Sequence, residues 1–121
     1  MLTLSPLPKT WLFDVDGTIV KHNGHLLGGD ELLEGVKEFF AQISTEDKVI
    51  LMTAREKKYE KQLLSFLEKS GIRYDQIIFD LPQGERILVN DKKNSGLKTA
   101  HAINKDRDAK LEINFVIDKN L

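Results

Sequence analysis

Two aspartates, Asp14 and Asp16, interrupt the apolar run Trp11-Leu12-Phe13-Asp14-Val15-Asp16-Gly17-Thr18-Ile19-Val20. Carboxylates are rarely buried unless something pairs with them or binds them. A pair placed where a core strand ends therefore asks for a ligand or a counter-charge. Two more polar groups close apolar runs downstream: Thr53, with Arg55 two residues on, after Val49-Ile50-Leu51-Met52, and Asn90-Asp91 after Ile87-Leu88-Val89. Each alone is ordinary, because an Asp after a strand commonly caps a helix or forms a turn. Turn chemistry does not explain the whole set.

The elements that must position these groups can be read from apolar spacing. Residues 11–15 suit a short buried strand, and Asn23-Gly24 between apolar pieces predicts a hairpin turn. From Asp30, apolar residues at 32, 33, 36, 39, 40 and 43 follow helical spacing, with the acids favourably placed at the helix start. Residues 48–53 form the next strand. Tyr59, Leu63, Phe66 and Leu67 mark a second amphipathic helix ending at Gly71. Phe39-Phe40 and Leu63-Leu64 are core stripes. Strands are predicted at 75–80, 86–90 and 111–117, and a helix at 96–104. Continuous apolar strands alternating with helices predict an α/β fold: a Rossmann-like three-layer sandwich with a mainly parallel sheet covered on both faces. In such folds ligands lie beyond the carboxyl ends of the strands, where Asp14, Asp16, Thr53 and Asn90-Asp91 are expected.

With 121 residues, the chain is expected to form a single domain over 1–121. The formal charge of −1 gives no broad basic footprint for nucleic acid. No cysteine is present, which excludes disulfides, thiol nucleophiles and cysteine metal sites. The start, MLTLSPLPKTW, does not read as a signal peptide, and no apolar stretch reaches membrane-spanning length. The expected setting is the cytoplasm.

Together, the motifs resemble those of the haloacid dehalogenase superfamily of phosphohydrolases. Asp14-Val15-Asp16-Gly17-Thr18 is similar to its first motif, Val49 to Arg55 to its second, and Val89-Asn90-Asp91 to its acidic fourth. The similarity spans roughly residues 9–117. It implies a Mg²⁺-dependent phosphatase in which Asp14 attacks phosphorus to form an aspartyl-phosphate. Asp16 would protonate the leaving oxygen and later take a proton from water, and Thr53 would hydrogen-bond the phosphoryl group. Thr18, Arg55 and Lys92 join Thr53 as expected phosphate-binding residues. Asp14 and Asp91 would hold Mg²⁺ through their side chains and Asp16 through its backbone carbonyl.

The chemistry agrees with these roles. An unperturbed Asp titrates near about 3.9, so Asp14 needs no base at neutral pH. Its obstacle is repulsion, roughly 4 kcal/mol for two unit charges at about 4 Å with effective ε near 20. A cation is needed, and Mg²⁺ accepts carboxylate, water and phosphate oxygens. His22, His25 and His101 lack spacing to the carboxylates, so zinc is not expected. The family's third-motif lysine has no clear counterpart: Leu81-Pro82 stands where related members carry Lys-Pro, and Arg86, Lys92, Lys58 and Arg55 are all open as substitutes. The fourth motif also departs from paired acids, having Asn90 before Asp91.

The short stretches Thr18 to Asp30 and Leu81 to Asn90 leave no room for a cap domain. An uncapped site admits large substrates or is closed by a neighbouring subunit, as in a homo-oligomer. Residues 90–104, NDKKNSGLKTAHAIN, are loosely similar to small bacterial phosphatases of capsule or lipopolysaccharide synthesis. This makes a phosphosugar or similar small phosphomonoester the expected substrate. The alternatives are a polynucleotide 3′-phosphatase, disfavoured by the charge balance, and a binding protein of the same fold with weak or no turnover. His22 and His25 flank the predicted turn and would touch substrate only if it overhangs the site.

Overall fold

The computed structural model describes residues 1–121. Its strands are β1 (Leu2–Leu4), β2 (Thr10–Asp14), β3 (Lys48–Met52), β4 (Gln76–Ile78) and β5 (Phe115–Ile117). Two α-helices, α1 (Val36–Gln42) and α2 (Glu60–Ser70), and two short 3₁₀ turns, Gly24–Leu26 and Lys57–Tyr59, complete the elements. The fold is mixed α/β, and its strand pairs are all parallel.

β3 is the centre of a three-stranded sheet, with β2 and β4 as its neighbours. Trp11 lies opposite Val49, and Asp14 opposite Met52. Because side chains alternate across a strand, Phe13, Val15, Val49 and Leu51 share one face. They pack with Val36, Phe39, Phe40, Leu63 and Leu67 from the two helices into one core. Trp11 extends it, with its ring 5.5 Å from Phe39 and 5.8 Å from Phe115. The latter contact ties the core to the separate β1–β5 pair. α2 ends as its sequence predicts: Gly71 takes a left-handed conformation (φ 71°), and the Ile72 amide closes back on the Leu67 carbonyl.

Several expectations are corrected, and the strands expected at 75–80 and 111–117 are shorter, Gln76–Ile78 and Phe115–Ile117. The first helix begins at Val36 rather than near Asp30, because Gly35 (φ 85°) precedes it and residues 31–33 run extended. A Cβ at Gly35 would meet the Leu111 carbonyl at 2.3 Å, so only glycine allows the C-terminal segment to pass so close. Asn23 is left-handed as an Asn-Gly turn requires, but Gly24 is not, and the segment forms a 3₁₀ turn inside a wider loop. That loop is closed by the Val20–Leu32 bridge and by a hydrogen bond from the Lys21 amide to the Glu31 carbonyl.

Residues 86–90 form no strand and 96–104 no helix. The outer edge of β2 therefore has no strand partner, and Ile87 and Val89 are 85% and 86% exposed. A short apolar run gains little without a ladder and a core to bury against, and a nine-residue helix is marginal alone. Local bonds replace both elements: Asn90 donates to the Thr99 carbonyl, the Thr99 hydroxyl to the Asp91 carbonyl, and the Lys93 amide to the Leu97 carbonyl. The expected third layer is consequently absent, and Leu12 and Ile78, on the sheet face away from the core, stay exposed.

Asp47 fastens the start of β2 to the turn before β3. Its carboxylate accepts from the Lys9 amide and from Trp11 Nε1, both at 2.9 Å, and the residue is buried. Asp47→Ala leaves two donors without their acceptor and is expected to cost about 1–3 kcal/mol. A urea midpoint equal to that of the unmutated chain would refute this fastening role.

Candidate functional site

The loop after β2 is closed tightly on itself. The Val15 carbonyl accepts from the amides of Thr18, Ile19 and Val20 at 3.3, 2.9 and 3.1 Å, and the Gly17 amide donates to the Val20 carbonyl at 2.7 Å. Gly17 has φ 85°, a conformation that side chains other than glycine adopt only with strain. This turn sends Asp14 and Asp16 in different directions.

Asp14 faces an open cleft with its side chain 34% exposed. One oxygen accepts from the Thr18 hydroxyl at 3.0 Å and the other from Arg86 Nη1 at 2.7 Å. The cleft, about 1490 Å³, is also lined by Asp16, His22, His25, Tyr59 and Lys105. It exceeds the usual volume of a small-molecule pocket. Lys105 places Nζ 3.1 Å from the Gly17 carbonyl, and the Asp108 amide donates to the same oxygen at 2.9 Å. Burial lowers the pKa of Lys105 against the opposing pull of Asp108 and Asp106.

Asp16 belongs to a buried network. Arg55 Nη2 and Nε donate to Oδ1 at 2.9 and 3.1 Å, and the Thr53 hydroxyl donates to Oδ2 at 3.1 Å. Arg55 reaches on to Asp30, at 2.6 and 3.1 Å, and the side chains of Arg55 and Asp30 are each only 1% exposed. Burial alone would lower the Arg55 pKa, but its hydrogen bonds and charge pairing with Asp30 and Asp16 outweigh burial and raise it. His25 lies beside the network with Nδ1 4.0 Å from Asp16 Oδ1 and its ring edge-on to Tyr59. Burial, then the Arg55 charge, pushes its pKa below the ordinary histidine value, against the opposing pull of Asp16 and Asp30.

The structure therefore brings Asp14, Asp16, Thr18, Thr53 and Arg55 together, but not in equivalent positions. Thr53 is fully buried, its hydroxyl committed to Asp16 and its oxygen accepting from the Arg55 amide at 2.9 Å. Arg55 is an internal clamp rather than an exposed phosphate binder. Asp91 and Lys92 are exposed outside the cleft lining, and Lys92 makes no hydrogen bond or ion pair. No three His, Asp or Glu side chains are gathered as metal ligands. Both Asp14 oxygens already have donors, Arg86 on one and Thr18 on the other. The residues present do not fit the Mg²⁺ expected from Asp14, Asp16 and Asp91.

Of the four candidate cations, only Arg86 touches Asp14; Lys58 pairs instead with Glu56 at 3.6 Å. Sequence reasoning missed Asp30 because its position before an apolar periodic run reads as a helix start. It left His25 unassigned because nothing local shows that the loop folds back over Asp16. Compared with protein-family models, curated proteins and solved structures, the chain matches none.

Proposed function

We propose that this chain is a phosphomonoester hydrolase of the haloacid dehalogenase type, acting through an aspartyl-phosphate at Asp14. The observation that carries this reading is a partly exposed carboxylate at the carboxyl end of a parallel strand, with a guanidinium 2.7 Å away at the mouth of an open cleft. The carboxylate supplies a nucleophile, and the guanidinium offers fixed donors for the oxygens of a transferring phosphoryl group. Thr18 fixes the rotamer of Asp14, so the attacking oxygen is positioned before substrate arrives.

In the first step an Asp14 oxygen bonds to phosphorus as the ester P–O bond breaks, and the leaving oxygen takes a proton. Water then attacks phosphorus, giving up a proton, and the Asp14–phosphorus bond breaks to release inorganic phosphate. The resemblance gives both proton transfers to Asp16. Arg55 and Thr53 direct Asp16 as an acceptor, which suits the second transfer, removal of a proton from water. A small phosphomonoester such as a phosphosugar is the substrate class this reading takes.

A second reading, a binding protein with little turnover, is favoured by the engagement of both aspartates by arginines and by the lack of a gathered set of metal ligands. Phosphate release assayed with and without Mg²⁺ separates the two. Asp14→Asn is expected to abolish release while the folded signal is retained, and beryllofluoride is expected to form an acyl-phosphate mimic at Asp14. Release that survives in Asp14→Asn would sink the aspartyl-phosphate mechanism. A folded protein that neither releases phosphate nor takes up beryllofluoride would support the binding reading.

A further inference from the structure

The stretch from Glu85 to Glu112 carries seven basic and five acidic side chains, and the fold sorts them. Five of the bases line the cleft that holds Asp14: Arg86, Lys93, Lys98, Lys105 and Arg107. Of the acids only Glu112 does. None of the chain's ion pairs engages Lys93, Lys98, Lys105 or Arg107. The hydrogen bonds these four side chains make are two from Lys105 Nζ, to the carbonyls of Gly17 and Asp106 at 3.1 and 2.9 Å. A chain of net charge −1 thus presents a cleft wall with an uncompensated positive excess.

Backbone contacts hold this wall in place. The Lys93 amide donates to the Leu97 carbonyl and the Gly96 amide to the Lys93 carbonyl, a closed turn with Lys93 and Lys98 at its two ends. Arg107 lies against the turn between the two aspartates, where a Cβ at Gly17 would stand 3.2 Å from its Cγ. The Asp108 amide closes on the Gly17 carbonyl that Lys105 also reaches. Like charges gathered without acids repel one another and focus a positive potential into the cleft. Nothing in the packing requires that cost, and a bound anion would repay it.

We infer that Lys93, Lys98, Lys105 and Arg107 form a second anion subsite, which binds a further phosphate group of the substrate. This rests on the phosphomonoester reading above: Asp14 and Arg86 take the phosphate that is released, and the wall takes one that is kept. A dianionic phosphate matches several cations better than a single carboxylate does, and guanidinium and ammonium groups both donate well to its oxygens. A single-stranded polynucleotide would also bring phosphates, but its binding relies on aromatic faces as well as a basic groove. Residues 93–107 include no Phe, Tyr or Trp. Trp11 and Phe13, in the cleft lining, are stacked on each other and set edge-on to Phe39 of the core. The ligand is therefore a small ester with two phosphates, such as a sugar bisphosphate.

The test compares fructose 6-phosphate with fructose 1,6-bisphosphate, which differ by one phosphate. Binding is measured by calorimetry in the Asp14→Asn chain, so that turnover does not consume the ester. The bisphosphate is expected to bind about tenfold tighter, the product of a roughly twofold gain from each of several exposed cations. Adding Lys93→Gln, Lys98→Gln and Arg107→Gln together is expected to erase that preference and leave fructose 6-phosphate within about twofold. All three side chains are exposed, and Gln retains the Cγ that Arg107 sets against Gly17; Lys105 stays because it holds the Gly17 carbonyl. Adding Lys37→Gln, Lys61→Gln and Lys69→Gln instead removes the same charge from the helices, outside the cleft lining, and should keep the preference. Equal affinity for the two esters, a preference that survives the cleft substitutions, or one lost equally with the helix substitutions would overturn the inference. Tighter binding of 3′-phosphorylated hexathymidylate than of the bisphosphate would overturn it too. Phosphate release by the unmutated chain is followed separately: a bisphosphate preference without release from either ester keeps the subsite and ends the phosphatase reading.

Discussion

Arg86→Ala is expected to lower phosphate release roughly 10³–10⁵-fold, the range found when an arginine that stabilises transferring phosphoryl charge is removed. The argument starts from repulsion. Asp14 must approach a dianionic phosphate, and each unit of opposing charge at about 4 Å costs roughly 4 kcal/mol at effective ε near 20. Arg86 is the cation in contact with the Asp14 carboxylate, at 2.7 Å. Its pair with Asp14 is more than a third exposed on each side, so its contribution to stability is small, about 0–1 kcal/mol. The variant should therefore unfold at nearly the urea concentration of the unmutated chain while losing rate. Arg86→Lys keeps a charge but loses the planar fork, and is expected to recover only part of the rate. Steady-state kinetics check both variants. A rate in Arg86→Ala within threefold of normal would remove Arg86 from the reaction and leave Lys105, beside the Gly17 carbonyl, as an alternative on the cleft wall.

How far the sequence foretold this arrangement depends on how local each signal was. Asp14 at the end of β2 and Thr53 directly after β3 followed from short apolar runs ending in polar residues, and Gly71 closed α2 where a left-handed cap was needed. These features need only neighbours in the chain. The segment 86–90 has the same local pattern yet is not a strand: it does not pair with the open outer edge of β2, and Ile87 and Val89 bury against nothing. Asp91 loses its place at a strand end for the same reason. The Arg55–Asp30 pair joins residues 25 apart, and the Arg86–Asp14 contact joins residues 72 apart. Neither has a periodic signature. Arg55 was visible as a positive residue near Thr53, but its destination, a buried clamp on two carboxylates, depends on where the loop ending at Asp30 folds.

That clamp carries the second large effect. Arg55→Met keeps much of the side chain's volume and removes its charge, leaving Asp30 buried and Asp16 short of its main donors. Breaking a buried ion pair from one side costs about 3–5 kcal/mol, because the remaining charge has lost its compensation. For a chain of this size such a loss is a large share of total stability. The compensating change follows from the same argument: Asp30→Asn in the Arg55→Met background removes the stranded charge and is expected to recover more than half of the loss. Asp30→Asn alone should cost less than Arg55→Met, since Arg55 still pairs with Asp16. Urea unfolding of the four proteins forms a double-mutant cycle, and the coupling between the two positions should exceed about 1 kcal/mol. Additive effects would mean that the guanidinium and Asp30 do not stabilise each other. The loop carrying His25 would then lack the anchor that holds it against Asp16.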